Sequence, residues 1–182
     1  FATSSIDALI HSVESYLSPN STLYSRMFSV KAMTMILNGF KKVVRDGKEN
    51  WSQYAKEFLI ASNLAGIAFG NAGCAGVHAL SYPLGGAYHI PHGEANQLMF
   101  ESVYNKYYEK DPNGRIQDFF EVVSEILGVG KEEALKALFA LTNQILERKP
   151  LSSYGIKKEE LSEFVKSVIE GQQRLLLSLI HI

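Results

Sequence analysis

Apolar residues recur at three- and four-residue spacing along nearly the whole chain, the period of a helix with one face against a core. Across residues 22–45 the positions Tyr24, Met27, Phe28, Val30, Met33, Met35, Ile36, Phe40, Val43 and Val44 follow it and predict one long, substantially buried helix. A first helix is expected from a Ser4-Ser5 cap to about Leu17, with Ser18-Pro19-Asn20-Ser21 ending it and capping the next. Asp46-Gly47-Lys48 reads as a turn, and residues 51–69 repeat the period through Tyr54, Phe58, Leu59, Leu64 and Ile67. Residues 70–73 break the pattern and residues 75–82 resume it, because Pro83 disfavours helical geometry just before it and Gly85-Gly86 favours a turn. Pro91 suits the first turn of a helix over residues 92–108. After the turn at Asp111-Pro112-Asn113-Gly114, residues 116–127, 131–147 and 158–173 read as amphipathic helices with charged outer faces. No segment longer than a few residues alternates with the period of a strand. The predicted fold is all-α, with roughly seven or eight helices in one domain.

Composition narrows the partners. With 20% charged residues and a net charge of -1 in 182 residues, no basic surface points to nucleic acid. The longest weakly polar run, residues 65–80, is built largely of Gly and Ala and broken by Asn71 and His78, so it lacks the bulk of a membrane-spanning helix. Cys74 is the single cysteine, which excludes an internal disulfide and a thiolate-rich metal site and makes a cytoplasmic setting the expectation. The chain opens with Phe1 rather than methionine, as a piece of something longer would. At the other end, LSLIHI over residues 177–182 resembles the translation of a sequencing-library adapter. Residues 1–176 are therefore expected to be the domain and residues 177–182 foreign, which sets His181 aside; a read continuing in frame through LSLIHI into genomic DNA would overturn this.

The chemistry is concentrated in two stretches. Asp7 and His11 are four residues apart, a spacing that on a helix stacks both side chains on one face, about 5–6 Å apart at Cβ. His78 lies among Gly73, Ala75, Gly76 and Ala79, where backbones pack closely and an imidazole must be hydrogen-bonded or act as a ligand. His92 follows Pro91 at a helix start, and Gly93 beside it permits close approach. One carboxylate and three imidazoles suit divalent iron or zinc. Each residue also has a plainer reading: a surface acid beside a helix-stabilising histidine, a core histidine, a loop histidine. Spacing leaves open whether the four meet. No strand followed by GxGxxG or GxxxxGK[ST] is present, so the chain offers no glycine-rich cradle for a nucleotide.

The D-x-x-x-H-x-x-E of residues 7–14 and the H-x(13)-H of His78 to His92, within HALSYPLGGAYHIPHGEAN, resemble the two signatures of the iron-containing alcohol dehydrogenase family. The resemblance runs to about Leu176 and corresponds to that family's helical C-terminal domain. It implies that Asp7, His11, His78 and His92 bind a catalytic divalent metal, iron ahead of zinc. It also implies an N-terminal α/β domain before Phe1 that carries most of the NAD(P) site, so that these residues alone would bind metal weakly and catalyse nothing. Many members carry a second histidine in HxxxHPLG where this chain has Tyr82, and the SYPLGGxYHxPHGE variant resembles the 4-hydroxybutyrate branch of the family. A short ω-hydroxy acid, with succinic semialdehyde on the oxidised side, is implied in place of a simple primary alcohol. Tyr82 and His89 are the candidates for proton relay or substrate contact, with a solvent-facing loop histidine as the equal alternative for His89. Glu14 is expected to support the site or to lie on the helix face rather than ligate, and Cys74, Tyr88 and Phe100 to pack. Nicotinamide nucleotide and a small alcohol or aldehyde are the implied partners, with room for a homo-oligomer. Two rival functions fit the same residues: a non-catalytic helical packing or subunit-contact module, and a metal-dependent hydrolase.

Overall fold

The computed structural model describes residues 1–180, with side chains as far as Leu176. The described residues form nine α-helices and no strand: α1 (Ala2–Leu17), α2 (Leu23–Asp46), α3 (Ala55–Ala72), α4 (Gly76–Tyr88), α5 (His92–Lys110), α6 (Ile116–Leu127), α7 (Ala134–Ile145), α8 (Leu161–Gly171) and α9 (Gln173–Ile180). Short 3-10 turns lead into α3, α7 and α8. The expected foreign segment, residues 177–182, falls partly on the backbone of α9; its side chains and residues 181–182 lie outside the described residues.

The core forms where α1, α2, α3, α5, α6 and α7 turn their apolar faces on one another. Ile6, Leu9 and Ile10 of α1, Met33, Ile36, Leu37 and Phe40 of α2, and Tyr104, Phe119 and Leu138 are fully buried there. At about 1.5–3 kcal/mol for each large side chain taken from water, these contacts dominate the fold's stability. The long helix α2 is less buried than its pattern suggested, with Tyr24 and Met27 in its first turns largely exposed. A smaller cluster of Leu84, Ile90, Ala95, Leu98 and Ile156 joins α4 and α5 to the C-terminal segment.

Local signals erred in three places. Ser4 and Ser5 lie inside α1, where the Ser5 hydroxyl donates back to the carbonyls of Phe1 and Ala2. Thr22 rather than the serine run caps α2, through a reciprocal pair of hydrogen bonds with Ser25. Helix α4 runs through Pro83, Gly85 and Gly86 to Tyr88, because Pro83 forfeits one backbone bond while Val77, His78, Ala79, Ser81 and Leu84 gain burial. Gly73, at φ 80°, ends α3 and lets the chain bend by 106° into α4. No single helix among the described residues is long and apolar enough to cross a membrane.

Candidate metal centre

Helices α1, α4 and α5 meet where α4 and α5 begin. Gly93 permits that approach: a Cβ there would stand 2.0 Å from the carbonyl oxygen of Thr3, so only glycine lets α5 lie this close to α1. Asp7 and His11 project from one face of α1, His78 from the first turn of α4, and His92 is the first residue of α5. One ligand atom from each lies within 4.8 Å of the other three. The Asp7 carboxylate is central: Oδ2 is 3.6 Å from His11 Nε2, and Oδ1 is 3.5 Å from His78 Nε2 and 3.4 Å from His92 Nε2.

These separations suit a cation. Nitrogen and oxygen ligands sit at about 2.0–2.2 Å from zinc, so tetrahedral neighbours stand roughly 3.4 Å apart. A second observation agrees. Asn96, fully buried one turn beyond His92, places Nδ2 2.8 Å from Asp7 Oδ1, 3.1 Å from His78 Nε2 and 3.3 Å from His92 Nε2, while its Oδ1 has no hydrogen-bond partner. Three ligand atoms crowd one amide nitrogen that has two hydrogens, and a cation among them would relieve that competition.

The surroundings aim these groups. Glu14, buried one turn beyond Ile10, accepts hydrogen bonds from the backbone N–H of Ala75 at 2.9 Å and of Val77 at 2.6 Å, and from His78 Nδ1 at 2.6 Å. Ala75, the N-cap of α4, has no side-chain cap to offer, so a carboxylate from α1 fills that place and faces the positive end of the helix. The same carboxylate fixes the His78 ring with Nε2 toward Asp7, the support that metal-binding histidines usually have. His11 lies between the rings of Phe69 and His78, at centroid distances of 4.1 and 4.2 Å, with Nδ1 3.1 Å from Cys74 Sγ. Tyr82 stacks on His92, 5.8 Å between centroids and 12° between planes.

Protonation follows from the same geometry. Burial alone would raise the Asp7 carboxyl, but hydrogen bonds from His11 and His78 and the nearby histidine charges hold it well below the usual range. Burial disfavours the His78 imidazolium, and its bonds to Asp7 and Glu14 more than offset this, pushing its pKa up to about 9. Burial, aided by the charges of His78 and His11, lowers His92 and favours the neutral form a ligand needs.

The residues singled out in the sequence divide clearly. Asp7, His11, His78 and His92 come together, with Tyr82 at their edge. His89 is exposed, takes the left-handed conformation that ends α4 at φ 53°, and makes no hydrogen bond, ion pair or ring contact with the four. Cys74 touches His11 rather than merely packing, whereas Phe100 is a core aromatic and Tyr88 packs edge-on against Phe164. Sequence reasoning missed Asn96, although it lies four residues after His92 and therefore on the same helix face. A concavity of about 1000 Å³ between α5, α6 and α7 contains none of these groups and is an open groove lined by side chains such as Glu101, Lys131 and Arg148. The chemistry lies elsewhere.

Residues 1–178 match the model of the Fe-containing alcohol dehydrogenase family, C-terminal region. The chain belongs to the iron-containing alcohol dehydrogenase family. Among its relatives in that family, the 4-hydroxybutyrate dehydrogenase of Clostridium kluyveri is 54% identical over 178 residues, which are 98% of this chain and 48% of that protein. Long-chain-alcohol dehydrogenase 1 of Geobacillus thermodenitrificans is 35% identical over 185 residues, covering 96% of this chain and 45% of the relative. The crystal structure of a 1,3-propanediol oxidoreductase superposes with a TM-score of 0.79 at 29% identity, over 93% of this chain and 45% of that one. A sulfoacetaldehyde reductase from Bifidobacterium kashiwanohense, solved in complex with NAD+, shares the fold with a TM-score of 0.76 at 22% identity, over 92% of this chain and 43% of that one. The chain thus spans about half the length of these iron-containing dehydrogenase relatives, and its helical fold is that of their C-terminal part.

Proposed function

We propose that this chain is the metal-binding half of an NAD(P)-dependent alcohol dehydrogenase of the cytoplasm that interconverts 4-hydroxybutyrate and succinic semialdehyde. The observation that carries the reading is the convergence of four ligand atoms, from Asp7, His11, His78 and His92, within 4.8 Å. The relation to the Clostridium kluyveri enzyme, 54% identical, supports the substrate. The nicotinamide nucleotide is held mainly by residues outside this chain, consistent with its spanning about half of each relative.

Divalent iron, or zinc, held by the four residues would act as a Lewis acid toward an alcohol or carbonyl oxygen. The protein's own contribution is to keep the four donors in place. Glu14 orients His78; Phe69 and Cys74 orient His11; Tyr82 covers one face of the His92 ring and narrows the approach from that side. Burial, then the charges of Cys74, Glu14 and Asp7, raise the Tyr82 phenol, so it stays protonated near neutrality and can donate a hydrogen bond to a substrate oxygen or relay its proton. His89, exposed at the end of α4, is reserved for contact with substrate or nucleotide entering from solvent.

The test combines metal content of the full-length natural protein with the nicotinamide absorbance change on adding 4-hydroxybutyrate. The reading expects one equivalent of divalent metal per chain and turnover that requires it. Metal without nicotinamide turnover would favour a metal-dependent hydrolase; neither metal nor turnover would reduce the domain to a packing module.

A further inference from the structure

Another concavity, of about 390 Å³, is lined by Ser18, Asn20, Phe69, Cys74, Tyr82 and Arg174, with Gly70 and Gly73 between them, and by none of the four clustered residues themselves. Three of those side chains are the ones that support the candidate ligands: Phe69 and Cys74 lie against His11, and Tyr82 lies against His92. The cavity and the cluster thus lie on two sides of the same three side chains. The cavity's volume falls within the range of about 300–1,000 Å³ common for small-molecule sites.

The charges of the wall differ from those of the cluster. Arg174, at the start of α9, is its one charged side chain, and no carboxylate lines the cavity. Among the described residues Arg174, like Arg26 and Arg115, makes no salt bridge, whereas Arg45 and Arg148 pair with Asp46 and Glu101. Its positive charge is felt by the Tyr82 phenol, on which it acts against the raising effect of Cys74, Glu14 and Asp7. A guanidinium facing a cavity without a counter-ion selects for an anion, and its planar fork fits a carboxylate with two parallel hydrogen bonds.

We propose that this cavity is the subsite for the far end of the substrate, in which the Arg174 guanidinium receives the carboxylate of a short ω-hydroxy acid while the hydroxyl end lies at the Asp7, His11, His78 and His92 cluster. The inference rests on the dehydrogenase reading and adds to it the residue that separates a hydroxy acid from a plain alcohol. Asn20, in the same wall, is a neutral donor available to such a carboxylate. Discrimination arises from the difference between filling the cavity with a charge that Arg174 neutralises and filling it with a methyl group that leaves Arg174 unpaired.

The experiment compares wild type, Arg174→Met and Arg174→Lys in the full-length protein, with metal content measured for each. Two alcohols of equal chain length, 4-hydroxybutyrate and 1-butanol, are assayed, and the Kd of butyrate, which has the carboxylate but no hydroxyl to oxidise, is measured by calorimetry. Arg174→Met is expected to lower kcat/KM for 4-hydroxybutyrate about 10- to 100-fold, the loss of a charge-assisted hydrogen-bonded pair. It should weaken butyrate by a similar factor, with metal unchanged and 1-butanol affected less than about threefold. Arg174→Lys should recover part of both losses. Equal loss for the two alcohols, or an unaltered butyrate Kd, overturns the assignment. A wild type that oxidises 1-butanol but not 4-hydroxybutyrate defeats the substrate reading, while butyrate binding that disappears in Arg174→Met would still sustain the carboxylate subsite.

Discussion

Removing the Glu14 carboxylate should damage stability and metal affinity together, because one group serves both. Its oxygens accept from Ala75 N–H, Val77 N–H and His78 Nδ1 at 2.9, 2.6 and 2.6 Å, all in the interior. Glu14→Ala strands two backbone donors at the start of α4 and one imidazole. A buried group left without its partner costs about 1–3 kcal/mol, and breaking a buried ion pair about 3–5 kcal/mol. These costs overlap, so the combined loss should be about 4 kcal/mol, a large share of the roughly 5–15 kcal/mol that holds a typical domain. At about 2–4 °C per kcal/mol for 150–250 residues, Tm should fall by roughly 8–16 °C. Glu14→Gln keeps the shape and one accepting oxygen but cannot satisfy all three donors, so it should fall between wild type and Glu14→Ala. With the His78 ring released, metal affinity should drop about 10- to 100-fold, as when other partners behind a ligand are removed. Thermal unfolding followed by circular dichroism, with metal titrated into the apoprotein, checks both effects. A Glu14→Ala protein with wild-type Tm and wild-type metal affinity would refute the argument; loss of stability alone would leave Glu14 as a helix cap and nothing more.

Other consequences can be measured as directly. Gly93→Ala places a methyl against the Thr3 carbonyl, 2.0 Å from its oxygen, so α5 must withdraw. The expected cost is about 1–3 kcal/mol from overpacking, with weaker metal binding because His92 moves too. Tyr154 donates to Glu94 at 2.6 Å, and burial followed by that bond pushes its phenol up to about 12 from an ordinary 10. A raised phenol adds stability that is fully present below pH 10 and is lost as pH rises through 12, so Tyr154→Phe should flatten the alkaline limb of the stability profile and remove a late-titrating tyrosine from the ultraviolet spectrum. An unchanged titration in Tyr154→Phe would contradict that. Residues 1–176 expressed alone should oxidise no alcohol, and measurable nicotinamide-dependent turnover by them would contradict the division of labour proposed here.

The fold class was legible because buried helices write their period into the chain, and the smallest elements were legible least. Pro83 looked like a helix end because its local preference is visible in sequence, while the burial of Val77, His78 and Leu84 that outweighs it is tertiary. The i, i+4 spacing of Asp7 and His11 gave a real clue to the site, and the resemblance to a known family supplied the pairing with His78 and His92. That all four ligand atoms fall within 4.8 Å depends on Gly93 letting α5 approach α1, a contact between residues 90 apart in the chain. Glu14 capping α4 and Asn96 pointing into the cluster were invisible for the same reason: each partner belongs to another helix. Arg174 stood out in no sequence pattern, since the cavity it lines is formed by the loop after α1, the end of α3 and the side of α4.

The central claim is that Asp7, His11, His78 and His92 hold one divalent cation, and metal stoichiometry of the full-length protein tests it most directly. Elemental analysis after exhaustive dialysis should give one equivalent of iron or zinc per chain in wild type and almost none in His78→Ala and His92→Ala, with both variants still helical by circular dichroism. Full metal occupancy in both folded variants would contradict the account.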